Sequence, residues 1–107
     1  MELPKVAVKP MTDGAIAIVC EGEFDLDTVG VLAAACDRDA AGAELLVLDV
    51  ARVAFADSSF LNVLIRLRNT RSVVLAGPLP SQLRRLLEMT GALELFEFHE
   101  TAADPAA

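Results

Sequence analysis

Three short and almost wholly apolar runs, Ala15–Cys20, Leu45–Val50 and Val73–Ala76, recur along the chain, separated by stretches with helical spacing. Apolar runs this short, bounded by polar residues, suit strands buried on both faces. Between the first two, Leu26, Val29, Leu32, Ala33 and Cys36 return at steps of three and four, which predicts a first helix from Asp25 to Gly42, weakened in its middle by Gly30. A second helix is expected to begin near Ser58. A third opens at Pro80 or Ser81 and runs through Leu83, Leu86 and Leu87 to Gly91. Ahead of the first run, Leu3–Lys9 alternates weakly, and Pro10 with Asp13-Gly14 signals a hairpin turn. A last strand or extended segment is expected over Leu93–Phe98.

A hairpin followed by strands and helices in alternation predicts an α/β domain with a mixed sheet and right-handed crossovers. The 107 residues allow one core, and with five Phe as the only aromatic side chains that core must be built from Leu, Val, Ile and Ala. One domain is expected over residues 1–100, with residues 101–107 a disordered tail. In parallel β-helix-β units the strand-to-helix connections gather at one sheet edge, where partners meet such domains. The connections Gly22–Asp25, Ala56–Ser59 and Gly77–Ser81 are therefore expected to be neighbours in space.

A formal net charge of −7, with acidic residues spread along the chain, argues against nucleic acid or anionic lipid as partner and favours proteins. The N-terminal residues lack a basic stretch followed by a long apolar one, and Ala15–Cys20 is far shorter than the roughly 20 residues of a membrane span. A cytoplasmic protein, neither exported nor inserted, is expected. Cys20 and Cys36 have neither CxxC spacing nor a nearby His, so they read as two buried thiols rather than metal ligands.

Asp57, Ser58 and Ser59 stand between an apolar segment and a helical pattern, where one of them caps the second helix by accepting from an orphan backbone N–H. A serine at a helix start is also a good phosphate acceptor, because free N–H groups and the helix dipole stabilise the added charge. A phosphate here would stand beside the Asp57 carboxylate and repel an acidic partner surface.

Gly22-Glu23-Phe24-Asp25, Leu46–Asp49, Phe55-Ala56-Asp57-Ser58-Ser59 and Leu86-Leu87-Glu88-Met89-Thr90-Gly91 together resemble the STAS family, and within it the bacterial anti-sigma factor antagonists. The resemblance covers Lys5 to His99. It implies an α/β STAS fold, a mixed four- to five-stranded sheet with helices packed mainly on one face. It also implies a non-enzymatic protein that binds an anti-sigma factor, often a protein serine kinase, and so frees a sigma factor. That kinase would phosphorylate Ser58, with Ser59 as fallback, and a phosphatase would reverse the switch. ATP and Mg²⁺ belong to the kinase, so no cofactor and no metal are expected in this chain. The expected partner-binding residues are Glu23, Asp25, Asp57, Ser58 and Ser59, joined on a helical-wheel reading by Phe60 and Val63.

Where family members commonly show Asp-Ser-Ser/Thr-Gly-Leu-Gly, this chain carries Phe60 and Asn62 in place of both glycines. On a helical wheel Leu61, Leu64 and Ile65 form one apolar face, and Phe60, Val63 and Leu67 extend it along a second stripe. Either neighbouring helices bury that stripe, or Phe60, Val63 and Leu67 stay partly exposed beside Ser58 as the apolar centre of an interface. A serine hydrolase is disfavoured, since His99 is the one histidine and no Gly-x-Ser-x-Gly is present. A receiver domain lacks its lysine, as Lys5 and Lys9 are the only ones. The alternative within the same fold is a STAS subunit that is never phosphorylated and serves a transporter or signalling complex.

Overall fold

The computed structural model describes residues 2–38, 40 and 42–100. The expected tail over 101–107 lies outside them. Five strands follow chain order across one sheet: β1 (Lys5–Pro10), β2 (Ala15–Phe24), β3 (Leu45–Ala56), β4 (Ser72–Ala76) and β5 (Glu97–His99). β1 and β2 form the antiparallel hairpin, turned by Asp13 and Gly14, both at positive φ. Every later pairing is parallel, with α1 (Gly30–Arg38), α2 (Ser58–Thr70) and α3 (Ser81–Met89) in the connections. The mixed sheet expected from the alternation is therefore present.

All three helices contribute to one core. Leu32 and Cys36 of α1, Phe60, Leu64 and Leu67 of α2, and Leu83 and Leu87 of α3 cluster with Ile18, Cys20, Leu46, Leu48, Val73 and Leu75 of the sheet. These strand residues alternate along the chain, so they share one face of the pleat. The opposite face carries only a small cluster of Ala17, Val47 and Ala76 with Met11 and Leu45 against it. Both cysteines are buried and free, and burial pushes the thiol of Cys36 up to about 11 and raises that of Cys20 as well.

Three expectations are corrected. The first helix starts at Gly30 rather than Asp25, because residues 25–29 fold into a turn in which Thr28 and Val29 donate to Asp25 O. Gly30 thus opens the helix instead of weakening its middle. β3 does not stop at Val50 but runs to Ala56, seven residues past Asp49, the last of its residues paired with β4. The segment 93–98 divides into a 3-10 turn over Ala92–Leu95, entered through the left-handed Gly91, and the three residues of β5.

The overrun of β3 positions the rest of the molecule. At ~3.3 Å per residue, β2 and β3 project roughly 20 Å beyond the end of β4 as a two-stranded ribbon. Shifts of register at Val19/Glu21 and Gly22/Glu23 bend that ribbon. Gly22 is obligatory there: its φ is +97°, and a Cβ would collide with the carbonyl oxygen of Leu3.

Candidate functional site

The tip of the ribbon carries the Asp57-Ser58 turn. Asp57, in extended conformation, caps α2: its Oδ1 accepts from Ser59 N–H at 2.8 Å and from Phe60 N–H at 3.4 Å. The backbone N–H of Asp57 in turn donates to Phe24 O at 3.3 Å, which fastens the second connection to the first. Ser58 is the first helical residue and is exposed, and among the described residues its hydroxyl has no hydrogen-bond partner. Ser59 is half-buried.

Beside it, Asp25 is occupied in shaping its own turn. Its Oδ1 accepts from the N–H groups of Asp27 (2.9 Å) and Thr28 (3.1 Å), while Asp25 N–H donates to Thr28 Oγ1 at 3.0 Å. Glu23 is likewise engaged, since its Oε2 accepts from Glu2 N–H at 2.8 Å and its own N–H donates to Glu2 O. Glu23, Asp25, Asp57, Ser58 and Ser59 are thus brought to one edge, as the topology requires. The third connection is set back, because Gly77 lies beside Asp49 and Ala51 rather than beside Ser58. The hydrogen-bonded link to the site comes from the helix that follows it. Gln82, in the first turn of α3, donates from Nε2 to Ala56 O at 2.7 Å and accepts at Oε1 from Ala56 N–H at 2.9 Å.

Of the two readings of the second stripe on α2, burial is the one realised, which removes Phe60 and Val63 from the expected partner-binding set. Phe60 is 0%, Val63 7% and Leu67 4% exposed, so all three are core residues. The ring of Phe60 packs on that of Phe24 with centroids 5.2 Å apart. The large residue in the place of a glycine therefore points inward and leaves the Ser58 hydroxyl open. The exposed apolar side chains near this edge are instead Leu26, at 77%, and Phe55, at 40%. The sequence alone marks neither, because Leu26 fits the helical period and Phe55 looks like the end of a buried run. Gln82 is also missed by sequence reasoning. Its signal is a polar residue four positions before Leu86, on a half-buried flank of α3.

A cleft of about 550 Å³ opens elsewhere, lined by Gly77, Pro78, Leu79, Arg84, Leu93, Phe98, His99 and Glu100. Ser58 is not among its walls. Among the described residues no cluster of three or more His, Cys, Asp or Glu side chains could hold a metal ion, and no helix is long and apolar enough to cross a membrane.

The family model described as Mlab, STAS domain, matches residues 8–97. Among solved structures, an anti-sigma factor antagonist from Mycobacterium paratuberculosis is similar at TM-score 0.81 and 23% identity, covering 92% of this chain and 87% of its own. The anti-sigma factor antagonist SpoIIAA in its unphosphorylated form gives 0.68 at 20% identity over 88% and 87%. The Bacillus cell fate determinant SpoIIAA in the phosphorylated form gives 0.64 at 19% over 88% and 90%. No curated protein matches the sequence.

Proposed function

We propose, from the premise that this chain belongs to the STAS domain family, that it acts as a cytoplasmic anti-sigma factor antagonist switched by phosphorylation of Ser58. The observation that carries the reading is an exposed serine hydroxyl at the first position of α2, its neighbour Asp57 already spent on the helix cap. The cap leaves that hydroxyl free to react with a kinase-bound nucleotide. A phosphate there adds about −1.5 to −2 charges beside Asp57. Against an acidic group on the partner, two unit charges ~5 Å apart at an effective dielectric of ~20 repel by about 3 kcal/mol, and half of that lowers affinity roughly tenfold.

The partner is an anti-sigma factor with serine kinase activity, and a phosphatase restores binding. Its footprint is centred on Ser58, Ser59, Asp57 and Asp25, flanked by Glu23. Leu26 and Phe55 supply the exposed apolar contacts in place of the buried Phe60 and Val63. In this reading the chain itself carries out no catalysis.

The test is a titration of an anti-sigma factor kinase from the same organism with the wild type, Ser58→Ala and Ser58→Glu. Wild type and Ser58→Ala are expected to bind alike and Ser58→Glu about tenfold more weakly. Equal affinity for all three would overturn the switch. A second reading, a STAS subunit of a larger complex that is never phosphorylated, is favoured by the Mlab description of the matching family model. Incubation with ATP and the kinase separates the two, since only the first adds a single phosphate, located on Ser58 or Ser59 by peptide mapping.

A further inference from the structure

Past Asp49, β3 has β2 on one side but no strand on the other, because β4 ends at Ala76. Ala56 is fully buried at this unflanked margin, so both its N–H and its C=O need partners that a ladder would normally give. Asp57 N–H points the other way, to Phe24 O, as alternation along a strand requires. The primary amide of Gln82 reproduces what a neighbouring peptide group would offer, one donor and one acceptor, and meets Ala56 with both, at 2.7 and 2.9 Å.

We propose that Gln82 is the positioning residue of the Ser58 site: its amide substitutes for the missing strand beside Ala56 and thereby fixes the Asp57 cap and the exposed hydroxyl in the geometry the partner reads. The inference rests on the function proposed above only in its last clause. The placement itself is a property of the free chain. Among the described residues Gln82 has no hydrogen bond to Ser58, so its effect passes through Ala56 and the one residue between Ala56 and Ser58. Ala56 is anchored by Gln82 on one flank, while Asp57 is anchored by Phe24 on the other. With the first anchor gone, the turn keeps only the second and can pivot about it.

Gln82→Ala and Gln82→Glu in the full chain test this. Amide hydrogen exchange is read at Ala56 and at Ser59, whose N–H the Asp57 cap holds, against Leu48 and Leu75 in the body of the sheet. Gln82→Ala is expected to lose protection about tenfold at both Ala56 and Ser59, with under about twofold change at Leu48 and Leu75. Gln82→Glu distinguishes hydrogen bonding from bulk. Its carboxylate can accept from Ala56 N–H but cannot donate to Ala56 O at neutral pH, whereas the protonated acid does both. Its protection, taken as a ratio to the wild type so that the shared Asp57 and Asp25 cancel, should recover as pH falls toward about 4.5. In kinase titrations at neutral pH both variants should bind about tenfold more weakly than the wild type.

A loss confined to Ala56 with Ser59 unchanged, or one spread evenly over Leu48 and Leu75, would overturn the positioning role. So would unaltered affinity despite the exchange signature. If the wild type itself fails to bind the kinase, the proposed function falls, while the exchange measurements still decide whether Gln82 holds the turn.

Discussion

The ring of Phe60, in the first turn of α2, packs against that of Phe24 at the end of β2, with centroids 5.2 Å apart, and is wholly buried. Phe60→Ala should therefore behave as a core truncation, costing ~3–5 kcal/mol in chemical denaturation. Asp57→Ala removes the cap from two N–H groups and should cost about 1 kcal/mol. Asp25 needs a finer substitution, because its Oδ1 closes the turn before α1 while its charge faces the proposed partner. Asp25→Asn keeps the acceptor and discards the charge, so the unfolding free energy should move by less than about 0.5 kcal/mol. Kinase affinity should still fall severalfold, and unchanged affinity would reduce Asp25 to a turn former. The two thiols make a prediction about pH. Burial holds Cys36 near 11 against an ordinary value of 9.0, and shifts Cys20 in the same direction. Below about pH 9 both states keep the protons and nothing changes. Above it the unfolded chain ionises first, so stability should fall by up to ~1.4 kcal/mol per thiol per pH unit, for Cys36 until about pH 11. Urea midpoints from neutral to alkaline pH, compared with Cys36→Ala, would read a shallower decline in the variant.

At the level of elements, the buried centres of β2, β3 and β4 were legible because a strand covered on both faces is apolar at every position. Their ends were not. Beyond Val50 the sequence Ala51-Arg52-Val53-Ala54-Phe55 mixes charge with apolar residues, since a ribbon lacking β4 on one side is half solvated. The first helix reads from the sequence as starting at Asp25, about one turn too early, because the Asx turn that Asp25 forms uses the same side-chain acceptor as a helix cap. The Asp57-Ser58-Ser59 turn was legible, as capping is local chemistry, whereas Gln82 depends on a contact across 26 residues and leaves no local trace. Two glycines separate geometric need from mere tolerance. A Cβ at Gly30 would meet nothing within 4 Å and its φ is not positive, so Gly30→Ala should stabilise α1 by up to ~1 kcal/mol. Gly22→Ala meets the Leu3 carbonyl and an unfavourable φ together, and should cost over ~2 kcal/mol and detach Glu2 from Glu23. Thermal midpoints of the two variants should move in opposite directions.

For the molecule as a whole, a radius of gyration of 12.5 Å is that of a tightly collapsed domain of this length. Its formal charge is −7, with Lys and Arg together numbering 9 against 16 Asp and Glu. The sheet order β1-β2-β3-β4-β5 has a consequence for how the protein is made. Each strand pairs with the one synthesised just before it, so no strand has to be threaded between two already joined. A chain leaving the ribosome can close the hairpin, then lay down one helix and one strand at a time on a growing edge. The ribbon tip with Ser58 is complete in outline once α2 has emerged, but its clamp, Gln82, arrives only with α3. Vectorial synthesis thus delivers Ser58 before the residue proposed to lock it in place, and a nascent chain paused between the two would display the proposed acceptor site not yet set in its final form.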